Sequence, residues 1–132
     1  MKRLSTLILL AALFSTSAFA GSQVRRTGLD VPNLKAPTEK AVIHGSAPLE
    51  FRWDAKGDQT NLEYYDFRLY KGHKTLDSGL FFKEKVSRAQ SSIQIPADKF
   101  EDGQTYTWSV KQIGTHGNSR SAYIVFTVSK QA

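Results

Sequence analysis

Between residues 49 and 128 the apolar residues of this chain recur at every second position, and that period constrains its fold more than any other feature. In LEFRW, Leu49, Phe51 and Trp53 alternate with Glu50 and Arg52. In YYDFRLYKG, Tyr65, Phe67 and Leu69 fall on one side, and Tyr64, Asp66, Arg68 and Tyr70 on the other. Successive side chains of a strand point to opposite faces, so the alternation describes strands with one dry and one wet face. Further short runs follow in GLFFKEKV, SSIQIP, TYTWSVKQI and SAYIVFTVS. Turn-forming clusters separate them: DAKGDQTN, KGHKTLDSG, ADKFEDG and GTHGNSR. No segment carries a helical period. Ahead of the first clear strand, VPNLKAPTEKAVI holds Pro32 and Pro37, which cannot donate to a ladder. That segment is expected at a sheet edge, where it is open to being broken in two. Seven short strands over residues 31–130 predict an all-β, Greek-key β-sandwich.

The ends of the chain read differently. MKRLSTLILLAALFSTSAFA opens with Lys2 and Arg3, continues with an apolar run from Leu4 to Phe14, and closes on Ala18-Phe19-Ala20. This is the pattern of a cleaved secretory signal peptide over residues 1–20. The apolar run falls short of the roughly 20 residues a spanning helix needs. No second run exists, so no membrane span is expected and the mature chain is expected in the periplasm or outside the cell. GSQVRRTGLD, residues 21–30, shows no apolar period and reads as a flexible arm. The chain has no cysteine, which excludes disulfides, thiolate metal sites, cysteine nucleophiles and a lipoprotein anchor. Its formal net charge is +6, reduced by the loss of Lys2 and Arg3 but still basic. A basic balance favours anionic partners such as acidic glycans and cell-wall polymers. With no like-charge block and no RNA-binding signature, nucleic acid is not an expected partner.

KFEDGQTYTWSV, residues 99–110, gathers two acids, a glycine and two aromatics and poses the one choice between chemistry and architecture. Catalytic carboxylates must flank a substrate at a fixed separation, which adjacent acids on an open turn do not supply. The architectural reading assigns each residue a task. Phe100 plugs the core, Gly103 permits a tight turn, and Tyr106 points its ring inward with its hydroxyl bonding upstream backbone. That is the tyrosine corner of Greek-key sandwiches. Trp108 and Val110 then point inward, and Thr107, Ser109 and Lys111 outward.

From about Pro32 to Val128 the chain resembles a fibronectin type III domain, or its immunoglobulin-like relatives in bacterial envelope proteins. The residues that carry the resemblance are Trp53 on the second strand, Tyr65 and Phe67 on the third, and Phe100 six residues before Tyr106. These are core residues, so the resemblance implies a fold and leaves function to the surface. The spacing around GLFFKEKV does not decide which sheet takes that fourth strand. No Arg-Gly-Asp tripeptide is present, so integrin-type adhesion is not implied.

Candidate chemistry is sparse. His44 and His73 are expected at one end of the sandwich and His116 at the other, too far apart for a three-histidine metal site. No serine sits in a Gly-x-Ser-x-Gly elbow. No cofactor is expected, and a hydrolase with an unfamiliar site is the weakest alternative. The expected working surface is the outward sheet face, where Tyr64, Arg68 and Tyr70 of the third strand join Lys111 of the sixth and Tyr123 of the seventh. Tyrosine buries a large area at low entropic cost and keeps a polar handle, which suits binding of protein or sugar. The competing surface is the loop end carrying Arg88, His116 and Arg120. The expected role is a non-catalytic binding or assembly module, with an envelope or extracellular protein as partner and an acidic glycan as the alternative.

Overall fold

Alternate burial along each apolar run folds the chain into eight strands, described over residues 29–131 in a computed structural model. The expected signal peptide and residues 21–28 of the expected arm lie outside the described residues. In chain order the strands are β1 (Asn33–Ala36), β2 (Lys40–His44), β3 (Leu49–Asp54), β4 (Leu62–Lys71), β5 (Leu80–Ser87), β6 (Ser92–Ile95), β7 (Thr105–Gly114) and β8 (Ala122–Gln131). They form a three-stranded sheet, β1-β3-β6, packed on a five-stranded sheet, β2-β8-β7-β4-β5. The sandwich is therefore all-β, with eight strands in place of the expected seven. The extra strand comes from the proline-bearing edge, which is indeed broken. β1 pairs antiparallel with β3, and after the cis peptide at Ala36-Pro37 the chain crosses over so that β2 runs parallel to β8. The carbonyl of Pro37 accepts a hydrogen bond of 2.9 Å from the buried indole Nε1 of Trp108, which fixes the crossing to the core. β5, the GLFFKEKV strand, pairs with β4 and so belongs to the five-stranded sheet.

The interior is aromatic. Phe51 lies at its centre, with ring centroids 5.1 Å from Trp108, 5.3 Å from Phe67 and 5.7 Å from Phe126, all edge-on. Edge-to-face contacts at these separations add to the area each ring buries. Leu49, Phe51 and Trp53 of β3, Tyr65, Phe67 and Leu69 of β4, and Trp108 and Val110 of β7 are all buried, as the alternation requires. Leu29, next to last in the expected arm, packs partly buried against this core. Trp53 Nε1 is, among the described residues, the one buried side-chain polar atom without a hydrogen-bond partner.

The corner at residues 99–106 is structural. Phe100 is buried and stands edge-on to Tyr106 at 5.2 Å, and the Tyr106 hydroxyl accepts a 2.8 Å bond from the backbone N–H of Glu101. Gly103 turns at φ +80°, a backbone conformation that glycine enters without steric cost. The two acids serve neighbouring strands: Asp102 accepts the Lys130 N–H at 2.8 Å, and Glu101 meets Lys71 at 3.4 Å.

At the other end, Gln112 points inward in step with Trp108 and Val110, although it is polar. Its side-chain oxygen accepts the Lys56 N–H at 3.1 Å, and its backbone N–H donates to Ser119 Oγ at 2.8 Å. One fully buried residue thereby ties the two together, its side-chain amide holding the β3–β4 loop and its backbone N–H the β7–β8 turn.

Two outcomes follow from this packing. Tyr106→Phe removes the acceptor for Glu101 and is expected to cost about 1–2 kcal/mol, read as a lower urea midpoint at unchanged slope. Burial raises the Tyr65 phenol above its ordinary pKa, with the charge of Arg88 opposing. The neutral phenol is thus favoured in the fold, so its contribution is intact below the unfolded pKa of about 10 and lost as pH rises past it. Tyr65→Phe is expected to flatten the alkaline limb of the stability–pH curve, as measured by urea unfolding between neutral and strongly alkaline pH.

Candidate functional site

The outer face of the five-stranded sheet is assembled by register. β4 lies between β5 and β7, and pairing sets Lys85, Asp66 and Lys111 in one row across the three strands. The next row runs Lys83, Arg68, Ser109 and Tyr123, reaching β8. Two adjacent rows therefore present four cations around one carboxylate. Arg68 meets Asp66 at 3.1 Å through Nη2 and at 3.2 Å through Nε. That hydrogen bond to the carboxylate pushes the guanidinium pKa further up, so Arg68 is a fixed charge. Lys85 Nζ stands 4.7 Å above the ring of Tyr64, within the range of a cation–π contact. Lys83, Lys85 and Lys111 enter no ion pair among the described residues. The outer face of the three-stranded sheet contrasts with this, because its cations are matched: Lys35 with Asp54 at 3.5 Å and Arg52 with Glu50 at 3.6 Å.

Of the five residues expected on this face, Tyr64, Arg68 and Lys111 are partly exposed and Tyr123 is 63% exposed. Tyr70 departs from expectation. It occupies an outward position yet is only 5% exposed, so it is not an open contact surface. The β4–β5 connection curls back over this end of the face, and its Thr75 and Asp77 border the same cleft as Tyr70. The Gly72 carbonyl in that connection accepts the Thr107 hydroxyl at 2.9 Å. Thr107 and Ser109, also outward, are buried because they are small residues on the middle strand.

The result is a cleft of about 220 Å³. Two cations, Arg68 and Lys111, and two carboxylates, Asp66 and Asp77, line it together with the hydroxyl residues Tyr70, Thr75, Ser109 and Ser121. Across the Asp66–Arg68 pair a second depression of about 290 Å³ is lined by Tyr64, Lys83, Glu84 and Lys85. The sequence reading singled out neither Lys83 and Lys85 nor Thr75, Asp77 and Ser121. The alternating Lys83-Glu84-Lys85 was the usable signal for the first two. The others reach the cleft through loops, which carry no period.

The loop end is largely satisfied within itself. Arg88 donates to the Gln59 carbonyl at 3.2 Å, and the Thr60 hydroxyl donates to Asp58 at 2.6 Å and holds that carboxyl below its usual range. His116 and Arg120 are exposed there. His44 and His73 fall at the opposite end, beyond ten-residue strands that span roughly 30 Å. Among the described residues no group of three metal-ligating side chains gathers, and no helix is long and apolar enough to cross a membrane.

Strand order, the extra edge strand β2 and the placement of β5 beside β4 can now be set beside solved structures. A redesigned β-sandwich protein superposes with a TM-score of 0.59 at 14% identity, over 79% of this chain and 99% of its own. The FN1–FN3 domains of chicken CNTN1 superpose at 0.58 and 15% identity, over 77% of this chain and 31% of that one. Fibronectin(III)-like modules of Clostridium thermocellum CbhA superpose at 0.54 and 17% identity, over 76% of this chain and 99% of theirs. The fold is that of a fibronectin type III domain. No protein-family model matches the chain, and no curated protein matches it significantly. The fibronectin type III likeness thus rests on backbone geometry and leaves the surface to be read from its own residues.

Burial separates the tyrosines of the face. Tyr70→Ala is expected to destabilise the domain by about 3 kcal/mol, whereas Tyr123→Ala is expected to stay within about 0.5 kcal/mol of the parent. Thermal unfolding of the two variants, side by side, checks the difference.

Proposed function

We propose that this chain is a secreted, non-catalytic binding module of the bacterial cell envelope that engages an acidic surface of a partner protein. The observation that carries the proposal is the asymmetry between its two outer faces. One face pairs its charges internally. The other gathers Arg68, Lys83, Lys85 and Lys111 around Asp66, next to the exposed ring of Tyr123. Unmatched cations beside tyrosine rings suit a partner that brings carboxylates, because such charges steer encounter and fix register. Tyrosine supplies the buried area that makes an anchor. Export is supported by the sequence of residues 1–20. A non-catalytic role is supported by the corner acids, which are engaged with Lys71 and the Lys130 backbone rather than facing each other across a cleft.

The test is capture from the organism's own envelope with the exported chain as bait, alongside the double variant Lys83→Glu/Lys85→Glu and the variant Tyr123→Ala. These surface changes are expected to leave the melting temperature nearly unchanged. A partner held by the parent should be lost with the charge reversal and weakened with Tyr123→Ala, and its retention should fall as salt rises. Equal capture by parent and charge-reversed variant would reject the face.

A further inference from the structure

The cleft beside the ion pair is lined by charged and hydroxyl-bearing side chains alone. We infer that it is a subsite for a carboxylate-bearing sugar ring, within a short acidic oligosaccharide lying across β7, β4 and β5. This inference takes the outer face to be the working surface, as above, but assigns it a ligand of a different class.

Three observations support it. First, no aliphatic side chain lines the cleft; its walls are two cations, two carboxylates and four hydroxyl-bearing residues. A protein anchor takes its energy from apolar burial in a packed pocket, which this lining does not offer. A ring dense in hydroxyls with one acid group can use the whole lining. Its carboxylate meets Lys111, and its hydroxyls donate to Asp66 and Asp77 and exchange bonds with the protein hydroxyls.

Second, Ser109 is 3% exposed and lines the cleft, so its hydroxyl lies at the base of the recess. A hydroxyl at the base of a polar cleft can both donate to and accept from a ligand atom seated there. Third, the volume of about 220 Å³ is below the roughly 300–1,000 Å³ of drug-sized sites and suits a single ring. The depression across the Asp66–Arg68 pair then provides a second ring position. There Lys83 and Lys85, the latter standing over the Tyr64 ring, offer partners for the next acid group.

The experiment uses the exported chain, labelled with nitrogen-15, titrated with three probes: a trimer of galacturonic acid, the same trimer with its carboxylates reduced, and triglutamate. The uronate trimer should shift the amide signals of Thr75, Ser109, Lys111 and Ser121, with the reduced trimer binding at least about tenfold more weakly. Lys111→Gln and Ser109→Ala should each weaken the uronate trimer while leaving the rest of the spectrum in place. Equal binding of the reduced trimer would overturn the carboxylate part. Triglutamate binding at the same signals as tightly as the uronate would overturn the sugar assignment, yet leave the acidic-protein reading standing. No shift with any probe at millimolar concentration would overturn the subsite, while capture of a partner that depends on Lys83 and Lys85 would still support the face.

Discussion

Five consecutive residues of β7, Tyr106 through Val110, are buried on both sides of one sheet, and the remaining architecture answers to that constraint. A strand dry on one face alone needs only alternation. A strand dry on both needs large residues inward and small ones outward, because its outer side is closed by the side chains of its neighbours. β7 meets this with Tyr106, Trp108 and Val110 toward the core and Thr107 and Ser109 away from it. The small outward pair lies between Arg68 and Tyr70 on β4 and Tyr123 and Val125 on β8, so the centre of the face is recessed. The recess becomes the cleft once the β4–β5 connection brings Thr75 and Asp77 to its rim. The same strand anchors the edge, because Trp108 holds the Pro37 carbonyl where the chain passes from one sheet to the other.

What the sequence disclosed follows from the same physics. A period of two is a statement about faces, so the inward sets of β3, β4 and β7 were legible residue by residue. Trp53, Phe100 and Tyr106 were legible as well, because a core of this type leaves few places for large rings. The break in the first strand was visible as two prolines, but not its outcome, since partner choice for β2 depends on where β8 ends in space. Tyr70 was misjudged for a different reason. Its face was correct, but its exposure was set by a loop that carries no pattern, and side-chain position on a strand says nothing of what folds over it. Gln112 was overlooked because a polar residue in an inward slot reads as an interruption, whereas here it binds a loop that has no strand to pair with.

The two outer faces show how little the fold itself says about purpose. Both belong to the same sandwich and obey the same alternation, yet one matches each cation with a neighbouring acid while the other leaves three lysines without an ion-pair partner among the described residues. Surface ion pairs contribute little to stability, so neither arrangement is demanded by folding. A charge pattern that folding does not require is the part of the molecule open to selection for recognition. Solved structures at 14–17% identity share the frame and give no guide to that pattern.

The ends of the domain lie at opposite poles. Leu29 lies against Gly114, where β7 finishes, while Gln131 closes β8 beside His44 at the far end. A pull exerted between them runs along the strand axes. It loads the ladders that join β8 to β2 and to β7 in shear, so that many hydrogen bonds resist at once instead of opening one after another. Tethered at both ends, this small unit would behave as a stiff link in a line of tension, with its charged face turned sideways to the load.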